Sequence, residues 1–345
     1  MASLVAFDAR MEGRSGIGRY IRELSGALVQ KTGAGRFRFI RTGPPIYGLR
    51  EQWAVPAAAR GADLLHVPHF NIPVFYRGRL VVTVHDLTYL HQRETPPAAR
   101  AYVRFMLSQI ARKAAAVITV SEASKADLLR QTRIRPERVW VTYEAASPTF
   151  RKQAPEALAA VRRRYGLGRP FVLTVGNLKP HKNLPFLLDA MDLARKRGLP
   201  HELVLAGRAD HTSGKLLERI GRAPHVKYLD EVPDPDLAAL YGACDAFVMP
   251  SLREGFGLPA VEAMACGAPV LVSDRTSLPE VTGEAGMIFD PQRIDDLAGL
   301  LYNLLQDMDL REIQSQKSLR QASRFSWERT AQGTLDAYRS AGLSL

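Results

Sequence analysis

The sequence predicts an α/β protein with parallel sheets in two domains, and three observations carry that prediction. Short apolar runs recur along the chain, each followed by a punctuated loop and then by helical spacing. Runs such as Phe171-Val-Leu-Thr-Val175 and Ala246-Phe-Val-Met249 are near-continuously apolar, as strands covered on both faces require. At 345 residues the chain is long enough for two such units.

Leu4-Val-Ala-Phe7 reads as the first strand, Asp8 to Gly18 as a loop, and Arg19 to Lys31 as a helix spaced by Ile21, Leu24 and Leu28. The loop ends Ser15-Gly-Ile-Gly-Arg-Tyr20, where glycine lets backbone approach a ligand phosphate, although the third glycine of a dinucleotide fingerprint is missing. Asp63-Leu-Leu-His-Val67 and Leu80-Val-Val-Thr-Val-His85 are further strands. Each has a histidine at or near its carboxyl end, where open α/β sheets bind ligands. His66-x-x-His69 has the spacing of metal ligands, but Pro68 breaks any helix and no third ligand is nearby, so no metal is expected there.

Pro97 to Arg112 is predicted as a helix with Tyr102, Phe105, Met106 and Ile110 on one side and Arg100, Arg104, Arg112 and Lys113 as its charges. It is the best candidate in the chain for a basic amphipathic element lying on a surface, although such an apolar stripe is more often plain core packing. Ala116-Val-Ile-Thr-Val120 is a strand, followed by a helix capped by Ser121 or Ser124. Arg138-Val-Trp-Val-Thr-Tyr143 is the last strand of the first domain. A Pro- and Arg-rich connection from Ala145 to Pro170, helical over Glu156–Tyr165, places the boundary near 168.

The second domain opens with the strand Phe171-Val-Leu-Thr-Val-Gly176, the loop Asn177-Leu-Lys-Pro-His-Lys-Asn183 and a helix from Leu184. A lysine on a strand–helix loop suits the charge of a departing diphosphate. His201 to Gly207 and Val226 to Leu229 are strands. Asp234-Pro-Asp236 opens a helix and reads as an N-cap rather than as an Asp-x-Asp metal motif.

The most informative stretch follows the strand Ala246-Phe-Val-Met249, which Pro250 ends. Glu254-Gly-Phe-Gly257 is a glycine turn. Pro259 and Gly267 bracket a helix of about three turns from Leu258, its N-terminus aimed at that turn. Free N–H groups and the helix dipole make an anion site there. Glu254 and Glu262 flank it, and carboxylates accept hydrogen bonds from vicinal diols. Phosphate between two diol acceptors suggests a nucleotide-sugar.

Glu254-x7-Glu262 with Gly-Phe-Gly-Leu-Pro inside it resembles the signature of the family-4 retaining glycosyltransferases of GT-B fold. The resemblance covers almost the whole chain and implies two doubly wound Rossmann-like domains facing a central cleft. Residues 1–168 would bind acceptor and 169–324 the nucleotide-sugar, and a helix over 325–345 would cross back to the first domain from Arg324-Phe-Ser-Trp-Glu328. It further implies that Gly16 closes over the donor diphosphate and that His85, in Val84-His85-Asp86-Leu87, faces the transferred sugar. Lys182 maps onto the diphosphate-binding lysine. Some members carry arginine where this chain has Asn177, which shifts that contact toward Lys182 with Lys179 or His181 as helpers. Val232 would line the base pocket through its backbone, and Ser277-Leu-Pro-Glu280 would form a turn at the cleft edge. Glu262 would hold the ribose, and Glu254 with the N–H groups of Gly255, Phe256, Gly257 and Leu258 the hexose and phosphates. Kinship also implies a metal-independent reaction with retention, by front-face attack rather than through an enzyme nucleophile.

Within that family the motifs resemble most the bacterial mannosyltransferases of surface-polysaccharide assembly. The expected donor is therefore GDP-mannose and the expected acceptor a glycan or lipid-linked sugar. A UDP- or ADP-hexose-dependent transferase, or a non-catalytic nucleotide-sugar-binding protein, are the alternatives. Charge adds a partner class, because the net +12 is uneven. Residues 1–168 hold 27 Lys+Arg against 12 Asp+Glu, or +15, and the remainder is −3. A basic first half points to an anionic membrane surface or acceptor. Nucleic acid is not expected, since no aromatic–basic interleaving accompanies the charge. No apolar run approaches bilayer length, the opening Met1–Asp8 reads as a strand rather than a signal peptide, and Cys244 and Cys266 need not pair. The location expected is cytoplasmic, peripheral on the inner membrane face.

Overall fold

The computed structural model describes residues 3–13, 15–92 and 94–344; Met1 and Ala2 of the opening segment lie outside them. In chain order the elements are β1 (Val5–Asp8), α1 (Ser15–Thr32), β2 (Phe37–Ile40), α2 (Glu51–Ala58), β3 (Leu64–Val67) and β4 (Arg79–Val84). Next come α3 (Thr88–His91), α4 (Pro97–Lys113), β5 (Ala116–Thr119), α5 (Glu122–Gln131), β6 (Val139–Val141), α6 (Pro155–Arg164), β7 (Phe171–Val175) and α7 (Leu184–Lys196). They continue with β8 (Glu202–Ala206), α8 (Gly214–Gly221), β9 (Val226–Leu229), α9 (Asp234–Ala243), β10 (Ala246–Met249), α10 (Leu258–Ala265) and β11 (Val270–Ser273). The last are α11 (Leu278–Thr282), β12 (Gly286–Phe289), α12 (Ile294–Gln306), α13 (Met308–Ala322) and α14 (Trp327–Ser340).

The chain divides into two units, Met1–Glu144 with Ser326–Leu345, and Ala145–Phe325. In the first, a parallel six-stranded sheet runs β2-β1-β3-β4-β5-β6. The chain steps from β1 to β2 on one side and to β3 on the other, so the order reverses between β1 and β3. One face of the sheet packs Leu65, Val82 and Val117 on Val103, Met106, Leu107 and Ile110 of α4. The other face carries α1 and α14, with Tyr20, Leu24, Leu335 and Tyr338 fully buried. The final helix therefore belongs to the first unit.

The second sheet is also parallel and runs β12-β11-β10-β7-β8-β9. Its order reverses between β7 and β10, and the carboxyl ends flanking such a reversal are where doubly wound sheets bind ligands. The loops after β7 and β10 are those that carry Lys182 and Glu254.

Three expectations change, and the favoured reading of α4 holds. The boundary falls at 144 rather than near 168, because α6 packs on α9: Arg164 forms an ion pair with Asp236 at 2.6 Å, and Tyr165 donates to the same carboxylate. Asp236 is thus a tether, and Asp234 is a first-turn residue behind Pro233, which makes no side-chain cap. The first helix begins at Ser15, so Gly16 and Gly18 lie in its first turn instead of in a loop. Glycine costs little there, since first-turn N–H groups have no helical acceptor. On α4, Met106 and Ile110 are core, whereas Phe105 faces outward with Arg104, so the helix spends its apolar stripe on the sheet.

Candidate active site

In the second unit the strand β7 ends at Gly176, and the following loop reaches Lys182 in a short 3₁₀ turn before α7. Beside it the strand β8 ends at Gly207, whose φ is +145°. A Cβ there would sit 2.1 Å from the Gly176 carbonyl oxygen, so only glycine lets these two strand ends pass. The loop after β10 is bound to the lysine loop, as Leu252 N–H donates to His181 O at 2.8 Å. Lys182, Gly176, Pro250 and Ser251 line a small depression where these loops meet.

The glycine turn is built as the sequence predicts. Gly257 caps α10 with φ +101°, and a Cβ on it would meet Leu278 at 2.6 Å. Pro259 sits in the first turn, and Gly267, at φ +85°, follows the end of the helix. The helix is shorter than expected, two turns rather than three. Thr276, which the sequence reading did not assign, and Ser277 hold the turn in place. Glu254 N–H donates to Thr276 Oγ1 at 2.9 Å, and Ser277 Oγ donates to the carbonyls of Glu254 (3.2 Å) and Phe256 (2.9 Å). Ser277 therefore precedes a helix, α11, rather than opening a turn, and its hydroxyl braces the glycine turn.

The Nζ of Lys182 lies 2.7 Å from Oε1 of Glu254. Both side chains are largely shielded, so the pair combines an ammonium and a carboxylate at the mouth of a helix N-terminus. Glu262, on α10, is 1% exposed, and the Tyr241 hydroxyl on α9 donates to its Oε2 at 3.3 Å. Asn177 is exposed, and Val232 is half-buried in the loop after β9.

In the first unit His85 follows β4. Its Nδ1 lies 3.1 Å from Glu144 Oε1 and its Nε2 3.1 Å from Pro68 O. Its own carbonyl accepts from Ser124 Oγ at 2.9 Å, on the helix capped by Ser121, and the Tyr20 ring meets its ring edge-on at 4.7 Å. Glu144 is a residue that sequence reasoning missed. Its position just past the carboxyl end of β6 was the available signal.

The order reversal of the first sheet holds a buried polar cluster that was not anticipated. Arg10 bonds Asp8 through Nε (2.8 Å) and Nη2 (2.7 Å) and reaches Glu51 at 3.1 Å, while Asn71 donates to Glu51 at 2.5 Å. His69 lies 3.6 Å from Asp8, beside this cluster. Burial opposes charge on Asp8, but the Arg10 guanidinium bonded to it and the neighbouring His69 prevail and hold the carboxyl well below the usual carboxylate range. His66 is fully buried between Tyr338 OH (2.6 Å) and Thr83 Oγ1 (2.9 Å). Gly16 is exposed with open space beside it, whereas a Cβ on Gly18 would meet Met11 O at 2.7 Å, so the steric requirement falls on Gly18.

Two doubly wound parallel sheets with a phosphate-type loop at a strand-order reversal define a class, and comparison narrows it. The family model for glycosyl transferases group 1 matches residues 161–321, and that for glycosyltransferase family 4 matches 32–149. O-antigen chain mannosyltransferase B of Escherichia coli is 36% identical over 282 residues, covering 80% of this chain and 74% of that protein. The serotype-specific mannosyltransferase WbdA of Escherichia coli is 31% identical over 79% of this chain, which spans 34% of its length. HepE of Anabaena, solved in complex with UDP and glucose, matches with a TM-score of 0.79 at 21% identity, covering 98% of this chain and all of that one. The chain belongs to the family-4 glycosyltransferases and has their GT-B fold. It is a glycosyltransferase, and curated relatives that it matches are mannosyltransferases.

Proposed function

We propose that this enzyme transfers mannose from GDP-mannose, with retention, to a glycan or lipid-linked acceptor in surface-polysaccharide assembly, on the cytoplasmic face of a membrane. The observation that carries the reading is the 2.7 Å contact of Lys182 with Glu254 at the N-terminus of α10, where the second sheet reverses. Lysine and the first-turn N–H groups supply positive charge where a diphosphate leaves, each charge-assisted bond contributing about 1.5–3 kcal/mol. Glu254 accepts from hexose hydroxyls and Glu262, steadied by Tyr241, from the ribose. The backbones of Gly255–Leu258 and Val232, together with Gly16 and Asn177, complete the donor contacts.

His85, fixed by Glu144, Pro68 and Ser124, contacts the transferred sugar. The acceptor hydroxyl attacks the face the diphosphate leaves, with no enzyme nucleophile and no metal in the step. Mannose rests on the activities of the related mannosyltransferases. Among the described residues no helix is long and apolar enough to cross a membrane, so attachment is peripheral in this reading.

Calorimetry against GDP, UDP and ADP without added metal tests it. GDP binding at least tenfold tighter than UDP, about 1.4 kcal/mol, supports the GDP-sugar. A preference for UDP overturns the donor and keeps the fold, and failure of all three overturns the site.

A further inference from the structure

We propose that the first unit docks on an anionic lipid bilayer through a surface centred on Trp53 and Phe75. The proposal rests on the membrane reading above and replaces the apolar stripe of α4, which the core has taken, with a defined patch.

Every exposed aromatic side chain among the described residues lies in this unit. Two of them lie against each other outside the core: Trp53 on α2 is 60% exposed, Phe75 is 57% exposed, and their rings meet tilted by 36° with centroids 5.3 Å apart. Large rings held in water on a fixed backbone mark an interaction surface. Their backbone is fixed. Val74 N–H donates to Gln52 Oε1 at 2.6 Å, and Gln52 Nε2 donates to Ile72 O at 3.4 Å, so α2 and the 72–75 loop move as one.

The same loop is bound to α4. Lys113 Nζ donates to Tyr76 O at 3.3 Å and to Val74 O, and Tyr102 donates to Asn71. Tyr102 and Lys113 therefore mark the line along which α4 meets the loop. At 100° per residue, Phe105 and Arg112 project about 60–80° to one side of that line, and both are exposed. Phe105 is thus an exposed ring on the helix that the loop is bound to.

The charge around the rings has one sign. Arg50 and Arg77, each within three residues of a ring, are exposed. No Asp or Glu occurs from Leu64 through His85 or from Thr95 through Ser121, while those stretches carry Arg77, Arg79, Arg100, Arg104, Arg112 and Lys113. The acid of α2, Glu51, is turned inward to Arg10 and Asn71. The unit as a whole holds 24 Lys+Arg against 13 Asp+Glu, or +11, and the second unit 23 against 22, or +1. Guanidinium groups around tryptophan and phenylalanine match phosphate headgroups over an acyl boundary. The two stretches that flank the rings offer no carboxylate to a basic partner, whereas their guanidinium groups match lipid phosphate.

The test is co-sedimentation of the full chain with vesicles of phosphatidylglycerol and phosphatidylethanolamine, against phosphatidylcholine vesicles, at 0.1 M salt. Binding at least tenfold tighter to the anionic vesicles is expected. Both Trp53→Ala/Phe75→Ala and Arg50→Gln/Arg77→Gln should lose at least tenfold of it, while melting temperature and GDP affinity stay unchanged. Anionic binding that both variants retain overturns this patch and leaves the membrane reading standing. No vesicle binding by the parent chain overturns both. Ring-dependent binding to soluble polysaccharide without vesicle binding also overturns the proposal and makes the rings a glycan platform. GDP affinity measured alongside keeps the donor-site reading separately accountable.

Discussion

The Nδ1 of His85 lies 3.1 Å from Oε1 of Glu144, fifty-nine residues later in the chain, and its Nε2 lies as close to the Pro68 carbonyl. One nitrogen faces a carboxylate and the other a carbonyl oxygen, so the orientation of the ring depends on a buried carboxylate. Glu144 acts through His85 as a positioning residue. Glu144→Ala is expected to lower kcat by about 10–100-fold, the worth of one charge-assisted hydrogen bond, with little change in donor KM. Glu144→Gln should recover part of the loss because it keeps an oxygen at the same place. The decisive measurement is the double variant with His85→Ala, which should be no slower than His85→Ala alone. Additive losses would mean that Glu144 acts elsewhere.

The ion pair of Lys182 with Glu254 gives opposite expectations for its two members. In the proposed reading Lys182→Ala removes the cation assigned to the diphosphate and should weaken GDP binding by about 10–100-fold. Glu254→Gln removes the competitor for that cation. GDP carries no hexose, so its affinity should hold or rise by up to about tenfold while sugar transfer is lost. Calorimetry and a transfer assay on the same preparations separate the two effects. A Glu254→Gln variant that binds GDP much more weakly would contradict the assignment of Glu254 to the sugar.

Much of the site was legible because its chemistry is local in sequence. The glycine turn, Pro259 and Gly267 state the geometry of one loop and one helix, and Lys182 sits on the loop that the second sheet sets beside it. Contacts that cross the fold were not legible. Glu144 meets His85, Ser277 meets the glycine turn, and Asp8 meets Glu51 through Arg10 only after strands far apart in sequence pair. The edge strand Phe37–Ile40 went unread because its apolar residues are broken by Arg38. The domain boundary was drawn at a change of composition, whereas packing of α6 on α9 decides it.

Cys244 and Cys266 are both buried and unpaired. Burial pushes both thiols up, Cys266 to about 12, which leaves almost no thiolate at neutral pH. Neither should react with a thiol reagent in the folded enzyme, and both should react once denaturant unfolds it. Fast modification of the native protein would show that α9 or α10 opens locally.

The last helix is tied to the first sheet through His66, which takes a hydrogen bond position between Tyr338 OH and Thr83 Oγ1, with Tyr20 OH 3.2 Å from the same threonine oxygen. Burial lowers the His66 pKa from 6.5 to about 3, with the nearby His85 and His69 acting in the same direction. The unfolded chain therefore binds a proton near pH 6.5 that the folded chain refuses until about 3. The contribution of this histidine to stability is full above pH 6.5 and is lost as pH falls toward 3, at up to about 1.4 kcal/mol per pH unit. Asp8, with its depressed carboxyl, adds to the acid sensitivity only at lower pH, below its ordinary value of 3.8. Urea midpoints for the parent and His66→Gln between pH 7.5 and 4.5 isolate the histidine, since Asp8 is common to both. The difference between them should shrink as pH falls, and parallel curves would refute the buried neutral histidine.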